Sequence, residues 1–370
     1  MDATVLNTYT VYVYCVSRWA FMYRLLFIYL FLSFSNLAFC EPLRLLNWED
    51  YIAPDIVAEW EAKNGKLEQV YFDSDQDRDA ILINSQRHHI DVAVVDEVIA
   101  SRFGREGMLL KLTEERLPSL KNIEPFWRKR CGDYAIPYLW GTLGIAYRKD
   151  KLKKAPEKWA DLLSPSPDLY GHISMINDYT DILAPALFHL GFEVNTDDRG
   201  KLKQAFDLLK DQTGAVLTYE YPISYLGYSD KAEDLHMAMV YSGDQYSLNE
   251  LAEAEDRWGY VVPEEGTVLW VDCLAISKSG KNLERALNFV NFISQPAQAA
   301  RIASYGAIAT PNSAAKAMIP LEQLNDRSIY PGEEQLSNIY LYQELSKSNI
   351  EVRLKITNAI LNIHESKNTN

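Results

Sequence analysis

The chain has 370 residues, 48% of them hydrophobic and 24% charged, the proportions of an ordinary globular protein with enough length for two packed lobes. Its formal net charge is −14, and 12% of its residues are aromatic, including 23 Tyr and 8 Trp. A field of that sign repels polyanions, which argues against nucleic acid or an anionic membrane as a partner of the whole surface, and leaves small cations as a class that acids and rings would suit.

In chain order, Leu25–Cys40 (LLFIYLFLSFSNLAFC) carries no charge and is shorter than the ~20 residues of a membrane span. With Arg24 as its positive flank it reads as the apolar region of a secretory signal covering residues 1–40, which predicts export to the periplasm. Met22 makes a better start than Met1, because the first 21 residues contain an Asp and no Lys. Phe39 is bulky for a lipoprotein box, so anchoring at Cys40 is the less favoured reading. Removing Arg18, Arg24 and Asp2 with the leader makes the remainder more acidic by one charge. Cys131 and Cys273 remain in it, and no spacing argument decides between one disulfide and two separate buried thiols.

Leu43–Leu46 reads as a short strand, followed by a helix with Pro54 in its first turn, Ile56, Val57 and Trp60 on one face and Gly65 as its stop. Val70 and Phe72 mark a second strand, Asp75–Asn84 a second helix, and Ile90–Val95 (IDVAVV) a continuous apolar strand of the kind buried in a parallel sheet. Val98, Ile99 and Phe103 suggest a helix closed by Gly104 or Gly107. This βαβαβα order predicts an open, largely parallel α/β sheet. Tyr134–Tyr147, with Pro137 and Gly141 inside it, reads as a long strand that carries the chain into a second lobe. There, helices are expected around 158–163, 181–190 and 199–210, and strands at His236–Tyr241 and Thr267–Ser277. Helices then begin near Asn282 and at Pro296, and Glu365–Asn370 reads as a flexible polar tail.

Catalytic motifs are lacking. There is no GxSxG elbow, glycine-rich dinucleotide loop or P-loop, and the six histidines form no metal-ligand spacing. His88-His89 reads as a solvated turn. Arg128-Lys129-Arg130 before Cys131 would lower a thiol pKa, yet no partner base lies nearby in sequence. Aromatics and acids instead recur together at strand ends: Trp48-Glu49-Asp50-Tyr51, Asp178-Tyr179-Thr180-Asp181, Tyr241 and Trp270-Val271-Asp272. Each has a structural explanation alone, as helix cap, core ring or helix-entry turn. Together they place carboxylates and flat rings at the carboxyl ends of strands, where α/β sheets hold ligands. Separated acids with apolar walls between them suit a long organic cation, whereas a hard metal ion needs its oxygens converged on one point.

These segments, with GMLLKL, YAIPYLWGTLGIAY, KWADLL, LWVDCLAI and ATPN, resemble the spermidine/putrescine-binding proteins of bacterial polyamine transporters. The resemblance implies a two-lobed periplasmic binding protein fold of type II, each lobe a mixed sheet flanked by helices, with the cleft between them. Residues 41–147 and 269–313 would form lobe 1, and 148–268 and 314–364 lobe 2. It implies a polyamine site of Trp48, Asp50, Tyr51, Asp178, Asp181, Tyr241, Trp270 and Asp272, with Glu49, Asp96, Glu97, Ser224 and Gln343 as a second group, and no cofactor. Tyr241 stands where such binders carry Trp, Val98 and Ile308 where they carry Tyr, and Asp96-Glu97 where they carry small hydroxylated residues. The C-terminal match falls between Tyr342 and Gln343. VYFDSDQDRDAIL looks most like the norspermidine-sensor branch, which implies an inner-membrane receptor controlling cyclic di-GMP and biofilm formation as partner, with an ABC permease as the alternative. A ferric-ion binder using several Tyr is a remoter alternative, and a secreted enzyme another.

Overall fold

The computed structural model describes residues 41–49, 51–72 and 74–368; the leader expected at 1–40 and Asp50 lie outside the described residues. The expected α/β alternation is present from the first strand on. β1 (Leu43–Asn47), β2 (Leu67–Tyr71) and β3 (Val92–Asp96) pair in parallel, with β1 in the middle. Val92–Val95 is buried without alternation because both faces of the strand are covered. The helix Pro54–Asn64 buries Ile56 and Trp60 and ends at Gly65, whose φ of 79° is the left-handed conformation a glycine stop supplies. Ser74 caps the helix Asp75–Ile83, and Asp96 caps the helix Glu97–Arg105, so Asp96 and Glu97 sit at the carboxyl end of β3.

Two long strands carry the architecture. β4 (Ala135–Arg148) runs antiparallel to β9 (Thr267–Ile276) through its first half, then leaves it to pair with β7 (Met237–Tyr241). β9 also pairs antiparallel with β3, and β7 continues to β5 (Ile173–Ser174) and β6 (Val216–Thr218) in parallel. β8 (Trp258–Val261) joins β4, and β10 (Ile339–Tyr340) joins β9. The resulting sheet is mixed. Its ladder shifts register between Pro137 and Leu139, the position where a proline that cannot donate is tolerated in a central strand.

Residues 43–370 form one unit with two main apolar cores. The first gathers β1, β3, the early part of β4 and most of β9, together with Ile319 and Ile329. The second gathers Leu143 and Ile145 of β4, Met237 and Met239 of β7, Val268 of β9 and the helices around Leu187 and Leu209. A smaller cluster with Trp258, Tyr225 and Leu248 covers the other face of β7. β4 thus passes from one core into the next, as its length and internal Pro137 and Gly141 predict.

The structure decides one open point and departs from expectation in two places. Cys131 and Cys273 are joined, their Cα atoms 5.9 Å apart across 142 residues of sequence, which decides a pairing that spacing leaves open. The segment expected as one helix over 181–190 begins with a 3₁₀ turn, Asp181–Leu183, before the α-helix Ala184–His189, because Pro185 offers no N–H for a longer helix. The last helix, Lys347–Asn368, includes residues 365–368 of the stretch read as a polar tail. Lys367 Nζ reaches Thr213 Oγ1 at 2.7 Å and the His364 ring meets Tyr219 edge-on, so two polar residues there are tied to the second core.

Candidate functional site

A cleft of about 1760 Å³ lies where the carboxyl ends of the strands face one another, lined from both cores. Among the described residues predicted as site residues, every one lines it: Trp48, Tyr51, Asp178, Asp181, Tyr241, Trp270 and Asp272, and the second group Glu49, Asp96, Glu97, Ser224 and Gln343.

The first wall is built on β9 and the loop after β1. Trp270 and Asp272 alternate to the same side of β9, and both reach the cleft. Asp272 is 7% exposed and accepts one hydrogen bond, 3.0 Å from the Tyr51 hydroxyl. Tyr51 is held in turn by Tyr138, whose hydroxyl donates to the Tyr51 carbonyl at 3.0 Å. Trp48 packs on Phe72 with ring centroids 4.3 Å apart and extends the wall. Gly141 of β4 makes room for this arrangement. A Cβ there would come within 2.4 Å of the Trp270 ring and of Ser242 Oγ, so the glycine is what lets the indole lie flat against the strand.

The second wall is built on the loop after β5 and the end of β7. Asp178 Oδ1 accepts the backbone N–H groups of Thr180 at 2.7 Å and Asp181 at 2.9 Å, which fixes the loop and leaves Oδ2 turned toward Gln76 across the cleft, 3.4 Å away. Asp181 accepts the Tyr241 hydroxyl at 2.5 Å and the Tyr342 hydroxyl. Beside it, Asp244 accepts the Tyr221 hydroxyl at 2.5 Å and the Tyr241 backbone N–H at 2.8 Å. The Tyr241 ring meets Trp270 edge-on at 6.0 Å, so the aromatic lining continues from one wall to the other.

Burial dominates the electrostatics. It pushes the Asp272 carboxyl up to about 7 against the pull of the Tyr51 hydrogen bond, and Asp244 up to about 6. Asp178 and Asp181 are raised as well, by burial first; Asp178 also feels the neighbouring Asp181 charge. Burial, followed by the acids they contact, raises the hydroxyls of Tyr51, Tyr221, Tyr241 and Tyr342, so these phenols keep their protons and donate. A cation placed between these raised carboxyls would favour their charged forms.

Asp96 differs from the rest. One oxygen accepts Ile99 N–H as a helix cap and the other takes Arg78 Nη2 at 2.6 Å, so this acid is occupied inside the protein. Arg78, 1% exposed, also binds Asp75 at 2.8 Å and Asp79 at 3.0 Å, and the group closes the cleft beside Phe72. Sequence reasoning passed over Asp75, Arg78, Tyr221 and Asp244. The phrase DSDQDRDAIL, singled out as a family mark, held the signal for the first two. Tyr221 and Asp244 lie outside any motif and are joined only by folding. The C-terminal ambiguity resolves into two contacts: Tyr342 bonds Asp181 through its side chain, while Gln343 lines the cleft with its backbone N–H bound to Asn195 Oδ1 at 3.0 Å.

Among the described residues, no helix is long and apolar enough to cross a membrane, and no group of three or more His, Cys, Asp or Glu side chains is placed to hold a metal ion. Residues 56–326 match the family model described as bacterial extracellular solute-binding protein. The chain is 38% identical over 326 residues to the norspermidine sensor of Vibrio cholerae, spanning 88% of this chain and 90% of that one. It is 32% identical to the putrescine-binding periplasmic protein SpuD of Pseudomonas aeruginosa, with 82% and 88% covered. Among solved structures it superposes on the spermidine/putrescine ABC transporter substrate-binding protein PotD of Streptococcus pneumoniae with a TM-score of 0.72 at 25% identity, covering 87% of this chain and 99% of the other. These relatives are binding and sensor proteins, not enzymes, and the two-lobed binding-protein fold anticipated from the motifs is the one observed. The chain belongs to the bacterial extracellular solute-binding proteins.

Proposed function

We propose that this protein captures a linear polyamine in the periplasm and presents the ligand-closed form to an inner-membrane partner. The observation that carries the reading is the division of buried acids between two aromatic walls: Asp272 with Tyr51 on one side, Asp178 and Asp181 with Tyr241 and Tyr342 on the other. Terminal ammonium groups would neutralise the two sets, and the methylenes between them would lie along Trp48, Trp270 and Tyr241. Closure would turn on β4 and β9, which cross between the cores. The same tyrosines serve as donors to carboxylates inside the protein, Tyr51 to Asp272 and Tyr241 to Asp181, an arrangement that supports an ammonium ligand over a ferric ion.

The relatives support two readings of the partner. The likeness to a norspermidine sensor favours a signalling receptor that acts through cyclic di-GMP on biofilm formation. The likeness to transporter subunits supports a second reading, delivery to an ABC permease. A melting-temperature panel of putrescine, spermidine and norspermidine tests ligand binding, since a ligand that binds only the folded state raises Tm. A rise with at least one of them is expected, and no rise with any would overturn the reading. Co-purification of the ligand-loaded protein with membrane receptor or with permease separates the two partners.

A further inference from the structure

One acid in the cleft is unlike the others. Glu97, the first residue of its helix, is 8% exposed, lines the cleft and has a carboxylate oxygen, Oε1, that is buried with no hydrogen-bond partner. Its other oxygen accepts the Val271 N–H at 3.3 Å, and Glu97's own backbone N–H also favours the charged form. Val271 precedes Asp272, and Asp96, which precedes Glu97, sits opposite Asp272 in the antiparallel β3–β9 pair. Glu97, one residue past the end of β3, therefore lies against the middle of β9 at Val271 and Asp272. A buried acid with a bare oxygen is costly in the empty protein, and the Val271 N–H engages only its other oxygen; Glu97 makes no ion pair with Arg78, whose guanidinium is taken by Asp75, Asp79 and Asp96.

We infer that Glu97 is the determinant of ligand charge: beside Asp272 it adds an acid for an internal secondary ammonium, so the cleft selects a triamine over a diamine. This rests on the polyamine reading and deepens it. A diamine has two ammonium groups, which Asp272 and the Asp178–Asp181 wall already satisfy. In the diamine complex Glu97 meets no ammonium and keeps its proton, so it adds nothing to diamine affinity. In a triamine the terminal ammonium groups meet Asp272 and the Asp178–Asp181 wall as they do in a diamine, and the internal secondary ammonium has N–H donors for Glu97, with the methylenes on either side of it between Trp48 and Trp270.

The proton balance follows from the groups facing Glu97, which are Asp96 at the start of its own helix and Asp272 on β9, both acids. Burial, reinforced by those charges, pushes Glu97 up to about 8, so the empty site holds a proton at neutral pH that a triamine must expel to bulk water. Calorimetry at pH 7 in buffers of differing ionisation enthalpy reads this directly. On the unaltered protein, norspermidine or spermidine is expected to release more protons than putrescine. In Glu97→Gln, a near-isosteric change, triamine affinity is expected to fall about tenfold or more while putrescine affinity changes less than about threefold, and the extra proton release disappears. Equal losses for triamine and diamine, or no loss for either, overturn the assignment, as does equal proton release by both ligand classes on the unaltered protein. Failure of the unaltered protein to bind any polyamine overturns the polyamine reading itself, and is distinguishable from the others because it precedes any variant.

Discussion

The two walls of the cleft hold acids in opposite ways. On the second wall, Asp178, Asp181 and Asp244 are wrapped by donors: loop N–H groups and the hydroxyls of Tyr221, Tyr241 and Tyr342. On the first wall, Asp272 has a single donor in Tyr51, and Glu97 has an oxygen with none. Their supports differ too. The first wall stands on β9, a long central strand tied by the Cys131–Cys273 bond to the helix Pro125–Cys131; the second stands on a loop and on strand ends. A well-donated acid tolerates an empty site, whereas an acid short of donors depends on the ligand. The first wall should therefore carry more of the ligand discrimination, and the second more of the preformed shape.

That contrast yields graded expectations. The largest concerns the bond beneath the first wall. Replacing Cys131 and Cys273 by Ser is expected to cost about 2–5 kcal/mol of stability, read by chemical denaturation, with hydrogen exchange rising around β9 and β3 before β7. Uniform loss of protection would remove the distinction between the walls. Next, Gly141→Ala is expected to destabilise by about 1–3 kcal/mol, because its methyl group must displace the Trp270 ring or Ser242, and to weaken ligand binding along with it. Asp181→Asn should cost less in binding, about tenfold by calorimetry, since the amide oxygen still accepts one of the Tyr241 and Tyr342 hydroxyls, which bond different oxygens of Asp181, and the amide N–H can donate to the other hydroxyl, so the wall keeps its shape. A loss as large as that from altering Asp272 would make the walls equivalent.

The smallest effect is in pH. Asp272, Asp244, Asp178 and Asp181 all have folded-state pKa values above their unfolded ones, so the folded empty protein binds more protons than the unfolded chain between about pH 4 and 7. The contribution of these groups to stability falls as pH rises through that window, so their share of the empty protein's stability is greater at pH 5.5 than at 7.5. Cation binding needs the charged forms, so affinity runs the other way and weakens on acidification. Thermal melts with and without ligand across the range check the opposed signs; parallel trends would show that these acids do not hold the ligand.

Much of this was readable in advance, for physical reasons. Period and punctuation placed the first three strands and their helices, because IDVAVV, Pro54 and Gly65 each have one ready structural meaning. Trp270 and Asp272 were legible as a pair from strand alternation alone. The short strands β5, β6, β8 and β10 were not, since two to four residues carry no periodicity and exist only through their partners. The Tyr221–Asp244 bond and the Arg78 group escaped for a related reason: their meaning lies in long-range pairing that no local spacing records. Asp96 shows the converse. Its type and place suggested a ligand acid, but folding commits it to a helix N–H and to Arg78.

The account turns on Asp272 as the acid that meets the ligand. Titration calorimetry of norspermidine, spermidine and putrescine against the unaltered protein and folded Asp272→Ala tests it most directly. Loss of about 2 kcal/mol or more of binding free energy, roughly thirtyfold in Kd, is the expected result. Unchanged affinity in an Asp272→Ala protein of normal circular dichroism would contradict it.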